Sequence, residues 1–233
     1  VSVFATAILP IVAVGGVGYL LGRVRDIETD ALNTVVVYVL APALVFHSLA
    51  TTTLAQSTLA RITVAILVFH VLAIALAEAA GRLFGASETA LAALTLVIAF
   101  PNTGNYGVPV SSFAFGDTGR ATAVVYLSVQ AALIYTVGVF LASRGSAESR
   151  FAGVRQVFRV PLVYAVAAAL LARALGVVPP VDSTAMSTLQ LVGDSAIPVM
   201  LLLLGIQLAR TNVASTLSSV SGVVGLKMVV APV

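Results

Sequence analysis

A long apolar run, which begins near Leu91 and continues to Phe115, is interrupted at its centre by two prolines and two glycines. The interrupting stretch is residues 101–109, Pro-Asn-Thr-Gly-Asn-Tyr-Gly-Val-Pro. Proline lacks an N–H donor and pushes the residue before it out of helical geometry, and glycine weakens a helix. One unbroken helix is therefore excluded. Because irregular backbone at membrane depth is tolerated only inside protein or beside a water-filled cavity, the break predicts a binding site.

The apolar runs on both sides of this break are typical of membrane helices. Hydrophobic residues make up 60% of the 233 residues and charged residues only 9%, whereas soluble proteins carry about 25% charged residues. The runs are continuous, while strands of a membrane barrel alternate over about ten residues. The chain is therefore predicted to be an all-α integral membrane protein. Disulfide and thiolate chemistry is excluded because the sequence has no cysteine.

Apolar stretches of roughly 20 residues, the length that crosses a bilayer, predict a multi-pass protein. Helices are expected at 3–21, 31–51, 60–83, 88–116 with the break at 101–109, 120–142, 158–177, 186–209 and from 216 onward. With the N-terminus outside, the inner loops contain most of the arginines, while only Arg61, Arg120 and Arg173 lie at outer ends. This bias predicts a cell (plasma) membrane protein whose N-terminus is outside and whose loop 144–157 is cytoplasmic.

The second and seventh predicted helices resemble each other. Each has one proline inside an apolar run, Pro42 in the second and Pro198 in the seventh, so the offset is 198 − 42 = 156 residues. An odd number of helices separates the copies, which predicts opposite orientations in the membrane, as in transporters built from inverted repeats. Residues 1–143 would form the first five-helix repeat and 158–233 an incomplete second one. The same offset carries the break to about residue 257, so the chain is expected to be a C-terminal truncation.

The two ends of the broken helix are suited to holding a small anion. The first half-helix leaves carbonyls near Phe100, and the second, from about Val108, presents N–H groups and the positive end of its dipole. Neutral amides and hydroxyls can bind an anion without a permanent buried charge. The alternative is that the asparagines only cap the two half-helices. The predicted substrate-binding residues are Pro101, Asn102, Thr103, Gly104, Asn105 and Tyr106.

Four polar residues elsewhere are candidates for ion coupling or for balancing the charge of a bound anion. His70 is mid-helix, and the 156-residue offset carries it to a position beside Lys227; Asp194 precedes a predicted kink, and Gln130 could face the break. The alternatives are a hydrogen-bonded neutral histidine, a lysine that reaches the interface, structural water and interhelical hydrogen bonding. Coupling to H⁺ or Na⁺ stays open, and no cofactor or metal is expected. The predicted break or hinge residues are Pro42, Pro109 and Pro198.

Two further features are interpreted as structural. Glu78 and Arg82 are four residues apart near a helix end, a spacing that favours an ion pair. Gly15, Gly16 and Gly18 in the first helix are expected to allow close helix packing.

The stretch 101–109 resembles the auxin efflux carrier family, and residues 40–46, 197–208, Lys227 and Pro232 strengthen the resemblance. The resemblance implies ten helices in two inverted five-helix repeats, with crossing helices 4 and 9, similar to the bile-acid symporter and NhaA-like transporter fold. It also implies a scaffold domain and a transport domain that move like an elevator. Pro101 would be the crossover proline, and Asn102 would contact a substrate carboxylate. The short loop 144–157 matches prokaryotic members, so auxin itself is not the expected substrate.

The sequence therefore predicts a secondary active transporter, a permease or efflux carrier, for small organic anions such as carboxylates. Two alternatives stay open: a sodium-coupled symporter of the bile-acid type, and a non-transporting membrane receptor on the same fold. Enzymatic function is not expected, because the sequence has no His-Glu-x-x-His motif, no pair of intramembrane aspartates and no convincing serine nucleophile. Direct ATP drive is disfavoured, because the sequence has no nucleotide-binding fingerprint. The expected partners are the anion and the lipid bilayer, with no nucleic acid, and the chain could pair as a homodimer.

Overall fold

The computed structural model describes residues 2–142 and 159–211, and throughout these ranges the regular structure is helical. The helices are α1 (Ser2–Val24), α2 (Thr29–Thr51), α3 (Gln56–Leu83), α4 (Glu88–Ala99), α5 (Val108–Leu133), α6 (Pro161–Leu175) and α7 (Thr184–Arg210). A π-helical turn, Ile134–Gly138, extends α5 to Ala142. The stretches Thr29–Thr51, Gln56–Leu83, Glu88–Ala142 and Thr184–Arg210 are long and apolar enough to cross a membrane. The predicted all-α multi-pass membrane protein is confirmed.

Local sequence signals explain where several helices begin and end. The hydroxyl of Ser87 accepts a hydrogen bond from Ala90 N at 3.3 Å and caps α4, and Ser183 caps α7 in the same way. Pro161 lies in the first turn of α6, where its missing N–H costs nothing, and Gly176 ends that helix in the left-handed conformation with φ +66°.

Both proline-containing helices are irregular near the proline. In α2 a π-helical segment, Val36–Leu40, directly precedes the turn that contains Pro42. In α7 a turn at Ser195 separates Thr184–Asp194 from Ala196–Arg210, which contains Pro198. Proline removes one hydrogen bond from the helical ladder, and the backbone adjusts around the unpaired carbonyl. The roles of Pro42 and Pro198 as hinges stay predictions.

The turn between the helices predicted at 88–116 and 120–142 is shorter than the sequence suggests, and it lies inside α5. We expect a loop after Gly116, but Gly116 alone reverses the chain direction within α5, with φ +60° and ψ −143°. Only glycine adopts this backbone geometry readily. A Cβ on Gly119 would be 2.2 Å from the carbonyl oxygen of Ser111, so the segments before and after Gly116 are in direct backbone contact.

The helices pack into two groups. In the first, α1 packs along the second half of α7, and α2 packs against α6 and the first half of α7. In the second, α3 packs against α4 and α5, and α5 also packs against α1, α2 and α6 of the first group. The main apolar core joins the two groups and includes Leu44, Val45, Val124, Met200 and Leu201, each at most 2% exposed. A smaller cluster around Ala77 and Ile98 fills the space between α3 and α4.

Arginine side chains form hydrogen bonds between chain segments at both ends of this helix bundle. At one end, called here the Arg210 end, Arg210 bonds to the Asp26 carboxylate at 2.7 Å and to the carbonyl of Ile27. At the opposite end, Arg173 of α6 donates to the carbonyls of Leu49 at 2.8 Å and Leu54 at 3.0 Å. The first bond satisfies a carbonyl that the end of α2 leaves unpaired, and the second holds the loop that follows α2. The predicted Glu78–Arg82 ion pair is present at 3.4 Å.

Close contact between α1 and α7 depends on glycine and gives a first testable prediction. A Cβ on Gly205 would be 2.0 Å from the carbonyl oxygen of Gly15, whereas a Cβ on Gly16 would meet no atom within 4 Å. Gly205→Ala should therefore force the helices apart and lower the free energy of unfolding by about 1–3 kcal/mol. Gly16→Ala is the matched control and should not destabilise, because alanine favours a helix over glycine. Equal melting temperatures of the two purified variants would contradict the α1–α7 packing.

Candidate functional site

The broken helix has a short non-helical centre. After Ala99 the backbone leaves the helix at Phe100, with φ −113° and ψ 86°, and Asn102 is also non-helical, with φ −74° and ψ 71°. A π-helical turn, Thr103–Gly107, then leads into α5. Residues 100–107 are called the crossing segment below. Pro109 lies in the first turn of α5, so it begins a helix and does not lie in the irregular part of the chain.

Asn102 caps the second half-helix and still has a free donor. Its side-chain Oδ1 accepts a hydrogen bond from Asn105 N at 3.2 Å, and its carbonyl accepts from Tyr106 N at 3.3 Å and Gly107 N at 3.1 Å. These bonds satisfy most of the N–H groups at the start of the helix. Among the described residues, the side-chain Nδ2 of Asn102 has no partner, and the side chain is exposed. Capping and ligand binding are therefore compatible in this residue.

The side chain of Gln130 on α5 is hydrogen-bonded to the crossing segment. Its Oε1 accepts a hydrogen bond from the hydroxyl of Thr103 at 2.5 Å, and its Nε2 donates to the carbonyl of Pro101 at 2.7 Å. Thr103 is 7% and Gln130 8% exposed. Buried polar groups need partners, and here the side chain of Gln130 provides one for the carbonyl that the break frees. Gln130 therefore faces the break through these hydrogen bonds, and its role in ion coupling stays a prediction.

Two cavities lie on either side of the crossing segment. The larger, called the cleft, has a volume of about 560 Å³ and is lined by Asn102, Tyr106, Ser111, Phe115, Thr122 and Tyr126, among others. No charged side chain lines it within the described part of the chain. The second cavity, of about 200 Å³, is lined by Asn33, Gly104, Asn105, Gln130, Tyr135 and Met200, among others.

The six predicted binding residues are therefore divided between two cavities. Pro101, Asn102, Thr103 and Tyr106 line the cleft, whereas Gly104 and Asn105 line the second cavity. The π-helical turn places the two asparagines, three residues apart, on different sides. The bond between Thr103 and Gln130 joins a wall of one cavity to a wall of the other.

His70 lies behind the crossing segment. Its Nδ1 donates to the carbonyl of Ile66 at 2.8 Å, which places the proton on this nitrogen. The ring is 5.4 Å from that of Phe100 and 5.6 Å from that of Tyr126, and the residue is only 2% exposed. No described residue accepts or donates a hydrogen bond at Nε2. His70 therefore contacts the break through Phe100 and the cleft through Tyr126, without reaching either cavity.

Asp194 lies apart from the break. Its carboxylate is 2.5 Å from Nη1 of Arg120, whose Nε also donates to the hydroxyl of Ser112 at 3.3 Å. Neither the cleft nor the second cavity includes Asp194 among its lining residues. Lys227 lies outside the described residues.

Sequence reasoning missed two functional candidates, Tyr126 and Arg120. Tyr126 precedes Gln130 by four residues, so helical spacing places both on one face of α5, and this signal could have identified it. No local pattern links Arg120 to Asp194, because 74 positions separate them.

The arrangement is suited to a small solute with acceptor oxygens. The cleft offers the amide of Asn102 and the hydroxyls of Tyr106 and Ser111 among aromatic walls. Neutral donors bind a carboxylate without forming a permanent ion pair, which allows the solute to be released. Among the described residues, no group of three His, Asp or Glu side chains is placed to hold a metal ion.

Comparison with known proteins identifies the family. Residues 3–157, from α1 to beyond α5, match the family described as membrane transport protein. The chain is also 25% identical over 227 residues to an uncharacterized transporter of Methanothermobacter thermautotrophicus, an alignment that covers 97% of this chain and 74% of that protein. The family match includes the whole crossing segment, on which the resemblance to auxin efflux carriers rests. The chain thus belongs to the membrane transport protein family, which includes the auxin efflux carriers.

Proposed function

We propose that this membrane transporter is a secondary active carrier of small organic anions, with carboxylates as its substrates. The observation that supports this most is the side-chain Nδ2 of Asn102, which lines the cleft where the helix is broken and has no hydrogen-bond partner among the described residues. A carboxylate there would accept hydrogen bonds from the amide and from neighbouring hydroxyls. The N-terminal end of α5 adds a favourable dipole. Since the cleft has no charged lining residue within the described chain, the anion would not be trapped by a permanent ion pair.

The packing supports an inverted repeat and an elevator-type movement. The 156-residue offset relates α1 to α6 and α2 to α7. In an inverted repeat, the contact between α1 and α7 should therefore have a counterpart between α6 and α2. Both contacts are present and extensive. The group formed by α1, α2, α6 and α7 would be the scaffold, and α3, α4 and α5 would carry the crossing segment as the moving part. The irregular segments near Pro42 and Pro198 would absorb the bending.

The two cavities suggest a route through the protein. The cleft extends along α5 toward Thr118, close to the end of the bundle that contains Arg120. The second cavity is lined by Val36 and Leu162, nearer the opposite end of the bundle. With the N-terminus outside the plasma membrane and loop 144–157 in the cytoplasm, the cleft would face outward and the second cavity inward. The crossing segment would expose the solute to each side in turn.

Flux measurements in liposomes test this function. Purified protein would be reconstituted and assayed with radiolabelled mono- and dicarboxylates, with and without an imposed Na⁺ or pH gradient, against protein-free liposomes. We expect saturable uptake of at least one carboxylate that an ion gradient drives. Strict dependence on Na⁺ would favour a symporter of the bile-acid type, and binding without flux would favour a receptor. The proposal would be rejected if the protein neither bound nor transported any of the carboxylates.

A further inference from the structure

A third cavity, called the vestibule below, lies near Arg120 and is distinct from the cleft and the second cavity. Its volume is about 530 Å³, and it is formed where α2 ends, where α5 resumes after Gly116, and where α7 begins. Polar side chains line it, including His47, Ser48, Thr51, Asp117, Arg120 and Gln190. Thr118 lines both the vestibule and the cleft, so the two cavities adjoin.

Two buried polar atoms at the vestibule have no hydrogen-bond partner among the described residues. Ser48 is only 6% exposed, and its hydroxyl makes no hydrogen bond within the described residues; the same is true of the buried Nε2 of His47. Hydroxyls in helices commonly donate to the carbonyl four residues earlier, as those of Thr51 and Ser128 do here at 2.7 Å. Ser48 lacks this bond. Unsatisfied buried polar groups are rare in folded proteins and point to an unseen partner.

Arg120, which also lines the vestibule, has guanidinium N–H donors that its described contacts do not use. A guanidinium has five N–H donors, and the described contacts of Arg120 are one bond to Asp194 and one to Ser112. The side chain of Asp194 is 42% exposed, so an incoming solute can compete for Arg120. Because Arg120 is on α5 and Asp194 on α7, their ion pair links the two groups of helices.

We infer that the vestibule is a carboxylate-binding site. An incoming carboxylate bonds to Arg120, Ser48 and His47, takes the place of Asp194 on the guanidinium, and so loosens the link between α5 and α7. A planar guanidinium fork matches carboxylate geometry, which favours this class of ligand. Asp117 also lines the vestibule, but its side chain is exposed and its charge is screened by water and salt. The inference uses the proposed function only in taking a carboxylate as the transported solute.

Fluorescence can measure binding at this site directly. The chain has no tryptophan, so Val181→Trp places a single reporter in the vestibule wall at a position that is 59% exposed. Succinate is the probe, and sulfate tests whether the site prefers a planar carboxylate. We expect a saturable emission change with succinate and a weaker response to sulfate. Arg120→Gln in this background should weaken succinate binding by about tenfold or more, and Ser48→Ala should weaken it by a smaller factor.

The variant Asp194→Asn separates ligand exchange from a structural role. Since it removes the competing carboxylate, it should tighten succinate binding by about tenfold, whereas a purely structural ion pair would give unchanged or weaker binding. Arg61→Gln removes an exposed arginine of α3 that does not line the vestibule, and it should leave the affinity unchanged. If Arg120→Gln does not fold, Asp194→Asn and Ser48→Ala still test the site.

Two results would overturn the inference: no saturable response in Val181→Trp, or unchanged or weaker succinate binding in Asp194→Asn. The variant Asn102→Ala, placed in the reporter background, separates this site from the one at the crossing segment. It should lose flux and keep succinate binding in the vestibule. Carboxylate flux without any vestibule response would reject only the vestibule, and a vestibule response without flux of any carboxylate would reject only the proposed transport function.

Discussion

Asn102→Ala is expected to lower carboxylate flux by about tenfold or more, while the protein still folds. The substitution removes the free amide donor from the cleft, and one lost hydrogen bond to a charged ligand corresponds to about 1.5–3 kcal/mol. The measurement is initial uptake into liposomes as a function of substrate concentration. Alanine also removes the cap on Asn105 N, so the melting temperature should fall by an amount equivalent to about 1 kcal/mol.

The variant Asn102→Asp distinguishes the two roles of the Asn102 side chain, as a hydrogen-bond donor to the substrate and as a helix cap. Aspartate keeps an oxygen for Asn105 N and caps helices as well as asparagine does, so the melting temperature should stay near that of the wild type. It replaces the amide donor by a negative charge that repels a carboxylate, so flux should fall further than in Asn102→Ala. If Asn102→Asp keeps wild-type flux, the amide of Asn102 does not donate to the substrate.

Gln207→Ala provides the matched control for this pair. It also removes one side-chain amide, but Gln207 is an exposed residue of α7 and lines neither the cleft nor the second cavity. Flux and melting temperature should both stay within error of the wild type. A loss of flux equal to that of Asn102→Ala would mean that the assay responds to any amide deletion.

Local chemistry explains why the sequence located the break and most helix ends correctly. Proline and glycine act on their own backbone, so the stretch 101–109 could be recognised without any knowledge of the fold. The length of an apolar run similarly indicates a membrane span: α7 was expected at 186–209 and is found at Thr184–Arg210. The third helix begins at Gln56, four residues before the predicted position, because its polar first turn carries no apolar signal.

Features that depend on tertiary geometry could not be predicted in this way. The division of Asn102 and Asn105 between two cavities depends on the rotation that the π-helical turn imposes, and a list of polar residues does not contain it. The ion pair between Arg120 and Asp194 joins helices that are distant in sequence. One of the two partners of Gln130 is the backbone carbonyl of Pro101, so no complementary side chain in the sequence indicates that contact.

The second large effect is expected at Gln130, where Gln130→Leu should destabilise the protein by about 2–3 kcal/mol. Leucine has a similar size but leaves the buried hydroxyl of Thr103 without its partner, and the carbonyl of Pro101 keeps only its bond from Thr103 N at 2.8 Å. An unsatisfied buried polar group costs about 1–3 kcal/mol, and Thr103 can recover part of this through its longer contact of 3.4 Å with the Pro101 carbonyl. The measurement is the free energy of unfolding of purified protein in detergent. Flux should also fall, because the crossing segment loses its support from α5.

Ser128→Ala is the control for a polar deletion on the same helix. The hydroxyl of Ser128 donates at 2.7 Å to the carbonyl of Val124 within α5, so it does not hold the crossing segment. Its loss should change stability by no more than about 0.5 kcal/mol and leave flux intact.

A double-mutant cycle with Thr103→Val shows whether Gln130 acts on the break itself. Valine replaces the hydroxyl of Thr103 by a methyl group of similar size, so the Gln130 variant can then lose only its bond to Pro101. If the 2.5 Å contact between Thr103 and Gln130 holds the crossing segment, the two substitutions together should cost less than the sum of their separate effects, by about 0.5–3 kcal/mol. The cleft and the second cavity are separated by this same contact, so its loss should also let solute leak between them. Strictly additive effects with unchanged flux would show that Gln130 only packs against the break and does not hold it in place.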